Sequence, residues 1–154
     1  MGKRIVYMRP DGGMSIVIPA SNGRIGDETE DDFIARIRQN NLPLDAIDIQ
    51  IVEETDIPTD RYFRNAWKHS AGAISVDMPK ARDIHRDKLR EMRAPKLAAL
   101  DVEYMRADER GDTQTKSTVS AKKQALRDIT VDPTIEAAQT PEELKAIIPD
   151  ALKD

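Results

Sequence analysis

Apolar residues along this chain follow two different periods, and the change falls near Asp77. Before it they sit in short stretches, Lys3 to Met8, Met14 to Ile18 and Ala46 to Val52; after it they recur mostly at three- and four-residue steps. The first habit belongs to strands and the second to helices. Between the first two stretches, Arg9-Pro10-Asp11-Gly12-Gly13 combines a preset φ, a side chain that can bond its own backbone and a residue tolerant of positive φ, so a hairpin turn is predicted. Pro19 to Asp27 predicts a loop. Thr29, followed three residues later by Asp32, predicts a capped helix that buries Phe33, Ile34 and Ile37 and ends near Asn40-Asn41. The acidic residues Glu28, Glu30, Asp31 and Asp32 fit the start of such a helix better than a cation loop, which needs oxygen ligands at alternating positions around a Gly turn. In the third stretch Ile47, Ile49 and Ile51 alternate with Asp48 and Gln50, a strand with one wet face. The order ββαβ makes a small sheet with one helix over it.

The longest periodic segment, 77–129, predicts two helices folded back on each other. Asp77-Met78-Pro79 is a helix start, and Leu89, Met92, Leu97, Leu100, Tyr104 and Ala107 form a stripe that Val102 and Met105 widen. Pro95 predicts a kink or break near Arg93-Ala94. Gly111 can close the first helix in the left-handed conformation, and Asp112 or Thr113 can cap the second. That second helix carries Val119, Lys122, Leu126 and Ile129 at helical spacing, with Ala121 and Ala125 small enough for close approach. Thr140-Pro141-Glu142-Glu143 caps a short last helix with Leu144, Ile147 and Ile148 on one face. The expected fold is α+β, with a small sheet domain at 1–60, an aromatic connector with a short strand at 61–76, an antiparallel helical hairpin at 77–129 and a tail at 130–154.

Charged residues make up 34% of the chain and aromatics only 4%, so the core is thin and burial is expected to be completed by a partner or a second copy. A net charge of −4 gives no overall electrostatic footprint for nucleic acid or an anionic membrane. No run approaches the roughly 18 apolar residues that a membrane span needs, and the amino terminus lacks the apolar run of a signal peptide. A cytoplasmic protein is therefore expected. The absence of Cys excludes disulfides and thiolate chemistry. His69 and His85, the only histidines, have no metal-ligand spacing, and Ser70 beside His69 lacks a nucleophile-elbow context. His85, inside a charged helix, is expected to be solvated. No catalytic residue, metal or cofactor is expected.

Two features suit partner binding. Tyr62, Phe63 and Trp67 are three of the six aromatic residues, either a plug between the sheet and the helical hairpin or an anchor flanked by Arg61 and Arg64. Arg82, Arg86, Arg90 and Arg93 form a row on one side of the first long helix. Such a row could follow a phosphate backbone, but Asp83, Asp87 and Glu91 interleave it, so ion pairing is the first expectation and a nucleic-acid-binding or host-inhibitor protein the alternative.

Phe63-Arg64-Asn65-Ala66-Trp67, Val76 to Arg82 and Arg93 to Asp101 resemble small proteins encoded among the tail genes of tailed bacteriophages and prophages. Lys123 to Asp128 and Thr140 to Leu144 are similar to the carboxy-terminal region of tail-fibre assembly chaperones. The resemblance spans roughly Tyr62 to Leu144. It implies a non-enzymatic role in virion assembly, as a chaperone or minor structural component, with a phage tail or fibre protein as partner. The expected location is the bacterial host cytoplasm or the virion, and the expected state a homo-oligomer.

Overall fold

Pairing within the first half of the chain follows from its turns. In the computed structural model, which describes residues 2–153, β1 (Lys3–Met8) and β2 (Met14–Val17) form an antiparallel hairpin in which Asp11 accepts from the Gly13 N–H at 2.8 Å and Gly12 takes a φ of +79°. Met1 and Asp154, which end the first and last expected segments, lie outside the described residues. Helix α1 (Glu30–Asn40) begins with a complete capping box: Thr29 accepts from the Asp32 N–H, and the Asp32 carboxylate accepts from the Thr29 N–H. Strand β3 (Ile47–Glu53) joins the other side of β1, so the sheet order is β2-β1-β3.

One face of this sheet meets α1 through Ile5, Phe33, Ile34 and Ile37. Strict alternation in β3 does not survive, because its register against β1 shifts between Val6 and Met8, and Asp48 sits there at a φ of +48°. Of the three alternating isoleucines only Ile49 packs towards α1; Ile47 and Ile51 are exposed, and Val52 reaches the opposite face.

That opposite face is covered by a second hairpin, β4 (Trp67–Ser70) and β5 (Ala73–Val76). Its two-residue turn, Ala71-Gly72, has positive φ at both positions, the arrangement whose twist matches the flanking strands. Trp67 lies in a cluster with Val6, Met14 and Val52. The first compact unit, Met1–Asp77, is thus a sheet with apolar cover on both faces.

The second unit, Met78–Asp154, is helical. Its α2 (Met78–Glu109) runs through Pro95 without the expected break. A proline costs the helix one hydrogen bond, and here the helix on either side is held by packing along α3 (Thr113–Asp128) and by contacts described below. Gly111 turns the chain at a φ of +68°, the Asp112 N–H returns to the Ala107 carbonyl at 2.8 Å and the Gly111 N–H to that of Asp108 at 3.0 Å, a Schellman closure. Asp112 then caps α3. After a 3-10 turn at Ile129–Val131 come α4 (Pro133–Ala137) and α5 (Pro141–Lys145), capped by Asp132 and Thr140, and a last 3-10 turn at Asp150–Leu152. Leu89, Leu126, Ile129, Ile135, Leu144 and Leu152 are buried in this unit. No described helix is long and apolar enough to cross a membrane.

Candidate interaction surface

The arginine row on α2 is directed largely at the chain's own carbonyls. Arg82 donates to those of Ile135 (3.2 Å) and Ala138 (2.9 Å), tying α4 to α2. One turn on, Arg86 donates to the Thr130 carbonyl at 3.2 Å and pairs with Asp83 and Glu136; its hydrogen bond holds the Glu136 carboxyl below its ordinary range. Arg93 donates to the carbonyls of Leu126 (3.2 Å) and Arg127 (2.8 Å), in the last turn of α3, where helix carbonyls lack intrahelical partners. Only Arg90 stands apart, half exposed and paired with Asp87 at 2.6 Å. A polyphosphate strand laid on this row would have to displace three internal fastenings.

His85 is not solvated. It is fully buried one turn from both Ala81 and Leu89, which are buried too. Its Nε2 lies 2.9 Å from the Ile147 carbonyl, an acceptor, so that nitrogen carries the hydrogen; burial pushes the imidazole pKa down. The spacing Ala81, His85, Leu89 was the signal for an inward histidine.

Of the aromatic group, Phe63 and Trp67 are buried and Tyr62 is half buried, its ring edge-on to Phe63 at 4.6 Å. Trp67 is spent on the sheet. Farther along, α2 and α3 are joined by Asp101–Lys123 and Asp108–Lys116 ion pairs, with Tyr104 beneath both ammonium groups at 5.6 and 5.4 Å.

The helical unit also leaves several apolar residues exposed. Val102 and Met105 were expected to widen the buried stripe, but they are 47% and 62% exposed, and Met92, expected within the stripe, is exposed as well. Ala125, expected to let the helices approach closely, lines a groove of about 340 Å³ with Ala99, Leu100, Leu126 and Ala151, and with Lys96 and Lys122. The groove continues past Ala125 and Ala151 into a second depression bordered by Ile129, Val131 and Pro149. Spacing singled out Lys122 with Leu126 on α3 but not the groove or Lys96, because the groove is completed by the carboxy-terminal turn coming alongside α3. Among the described residues no group of three or more His, Asp or Glu could hold a metal ion. Compared with protein-family models, curated proteins and solved structures, the chain matches none.

Proposed function

We propose that this is a non-enzymatic protein that works by binding another protein during assembly of a phage or prophage tail or tail fibre, as a chaperone or minor structural component. The observation that carries the binding role is the apolar groove along α3, continuous over two depressions and bordered by the exposed Val131. Contiguous exposed apolar surface on so charged a chain is what a partner would cover. The tail context rests on the resemblance between Tyr62 and Leu144, and location in the host cytoplasm or virion and self-association belong to the same proposal. The nucleic-acid alternative loses support from the arginine geometry.

The test is capture of tail or fibre proteins from phage-producing cells by the full chain, with light scattering of the purified protein beside it. The exposed floor residues Ala99 and Ala125 give the variants Ala99→Glu and Ala125→Glu, which should keep the circular dichroism of the parent and lose capture. A monomer that retains no tail protein, or variants that capture as well as the parent, would overturn the proposal.

A further inference from the structure

A second opening lies in the first unit, at the end of β2. It is a cleft of about 330 Å³ lined by Arg4, Arg61 and Arg64, by Glu54 and by the apolar Ile18 and Ile57, among others. Arg4 is nearly buried, and its guanidinium is set by Glu54 at 2.8 Å and by the Lys3 carbonyl at 3.1 Å. The side chains of Arg61 and Arg64 meet no carboxylate or carbonyl among the described residues. The next carboxylates along the chain are turned elsewhere, Asp56 to the Glu53 N–H and Asp60 to the Tyr62 N–H. Three guanidinium groups therefore face one carboxylate, and the cleft carries an excess of two positive charges beside an apolar wall.

The neighbouring strand adds a second requirement. β2 is an edge strand, paired only with β1, and among the described residues its backbone makes no hydrogen bond outside the sheet. Such an edge accepts a further strand. A guanidinium fork matches the two oxygens of a carboxylate, an apolar wall suits the side chain next to it, and the free edge suits an extended backbone. We propose that the cleft under Arg61 and Arg64 receives a carboxylate carried on an extended peptide, with an apolar side chain against Ile18 and Ile57 and its backbone paired to the edge of β2. This site lies wholly within the first unit and is independent of the groove along α3.

The experiment is a nuclear magnetic resonance titration of the full chain, following backbone amides and arginine Nε–H groups. Three probes are used: acetyl-Ser-Thr-Val-Thr-Val with a free carboxy terminus, the same peptide amidated, and an amidated form with Glu at the penultimate position. The free acid should shift the Arg61 and Arg64 side-chain signals together with the amides of β2, and its amide should bind about tenfold more weakly or worse, since a charge-assisted hydrogen bond is worth that much. Equal binding by the Glu-containing amide supports the same site and places the carboxylate within a chain instead of at its end. Substituting both Arg61→Ala and Arg64→Ala should remove binding, whereas Arg90→Ala should leave it unchanged; both arginines are exposed, and a preserved amide spectrum verifies folding. Indistinguishable binding of acid and amide overturns the proposal. So does inorganic phosphate shifting the arginine signals while no peptide moves the β2 amides, which would mean an anion site only.

Discussion

The two units of this chain close their cores in different ways. The first does so with apolar side chains on both faces of a sheet, α1 on one side and Trp67 with its hairpin on the other. The second has no buried aromatic residue among those described, and its shorter segments are fastened to α2 by guanidinium groups and one imidazole reaching backbone carbonyls. A chain with few aromatics can spend them in one place and use long polar side chains elsewhere, provided each buried carbonyl finds its donor. The comparison predicts where each unit is fragile.

Trp67→Ala should show the largest effect. It removes a side chain that is 2% exposed and leaves a cavity against Val6, Met14 and Val52, a change that costs about 3–5 kcal/mol in such cores. Urea unfolding followed by circular dichroism or hydrogen exchange measures it, because the substitution removes the only Trp. A loss below that of the polar substitution described next would break the comparison.

Arg82→Met keeps much of the apolar stem and deletes both hydrogen bonds to α4, leaving the carbonyls of Ile135 and Ala138 without those donors. The expected cost is about 1–3 kcal/mol, with exchange protection lost first in the segment after Ile129. Arg90→Ala, on the same helix and in the same row, should change stability by no more than about 0.5 kcal/mol, because its pair with Asp87 is exposed. Similar costs for the two would show that the row is a solvated face after all.

These two arginines also mark how far the sequence could be followed. Features set by neighbours in the chain were legible: the Pro10-Asp11-Gly12 turn, the Thr29 and Thr140 caps, the Gly111 closure and the α+β order of elements. Features set by distant residues were not. Spacing puts Arg82 and Arg90 on one helix, but only the return of the chain, more than fifty residues later at Ile135 and Ala138, separates a clamp from a solvated residue. β4 was hidden inside what looked like a connector because Ala71-Gly72 lacks the Asn or Asp that usually announces such a turn. Trp67 was legible as an apolar anchor, though not as the cover of a particular sheet face. Neither the groove along α3 nor the cleft beside β2 left a periodic signal, since each collects residues from several separate segments.

Gly111→Ala tests the one sharp turn on which the helical unit depends. An added Cβ meets nothing within 4 Å, so the cost is conformational alone, about 1 kcal/mol for holding a φ of +68°. Gly111→Asn should cost less, because Asn enters this region more readily. Thermal denaturation of both variants measures the difference. A much larger loss would mean that the hairpin turn is crowded and that the second unit is less tolerant than its polar fastenings suggest.

The last effect is read from its dependence on pH, where the first unit does use a polar fastening. Arg36 grips Glu28 through two bonds of 2.8 Å and also donates to the Gly23 carbonyl, pinning the loop before α1. That hydrogen bond to Arg36, helped by the Ile25 N–H, lowers the Glu28 carboxyl from 4.5 to about 2. On unfolding the carboxyl regains its ordinary affinity for protons, so below pH 4.5 the unfolded chain binds a proton that the folded chain refuses. The stabilisation is therefore fully present above pH 4.5 and is lost as the pH falls from there through about 2. Glu30 in the first unit and Asp112, Asp132 and Glu136 in the second are also held low and titrate in the same direction, so the raw acid profile mixes them with Glu28. Subtracting the profile of Glu28→Gln from that of the parent isolates the share of Glu28: the difference in unfolding midpoint should be flat above pH 5 and shrink steadily below 4.5. Parallel profiles would show that the Arg36–Glu28 fork is solvated and adds nothing to the apolar cover of the first unit, which would make the contrast between the units sharper.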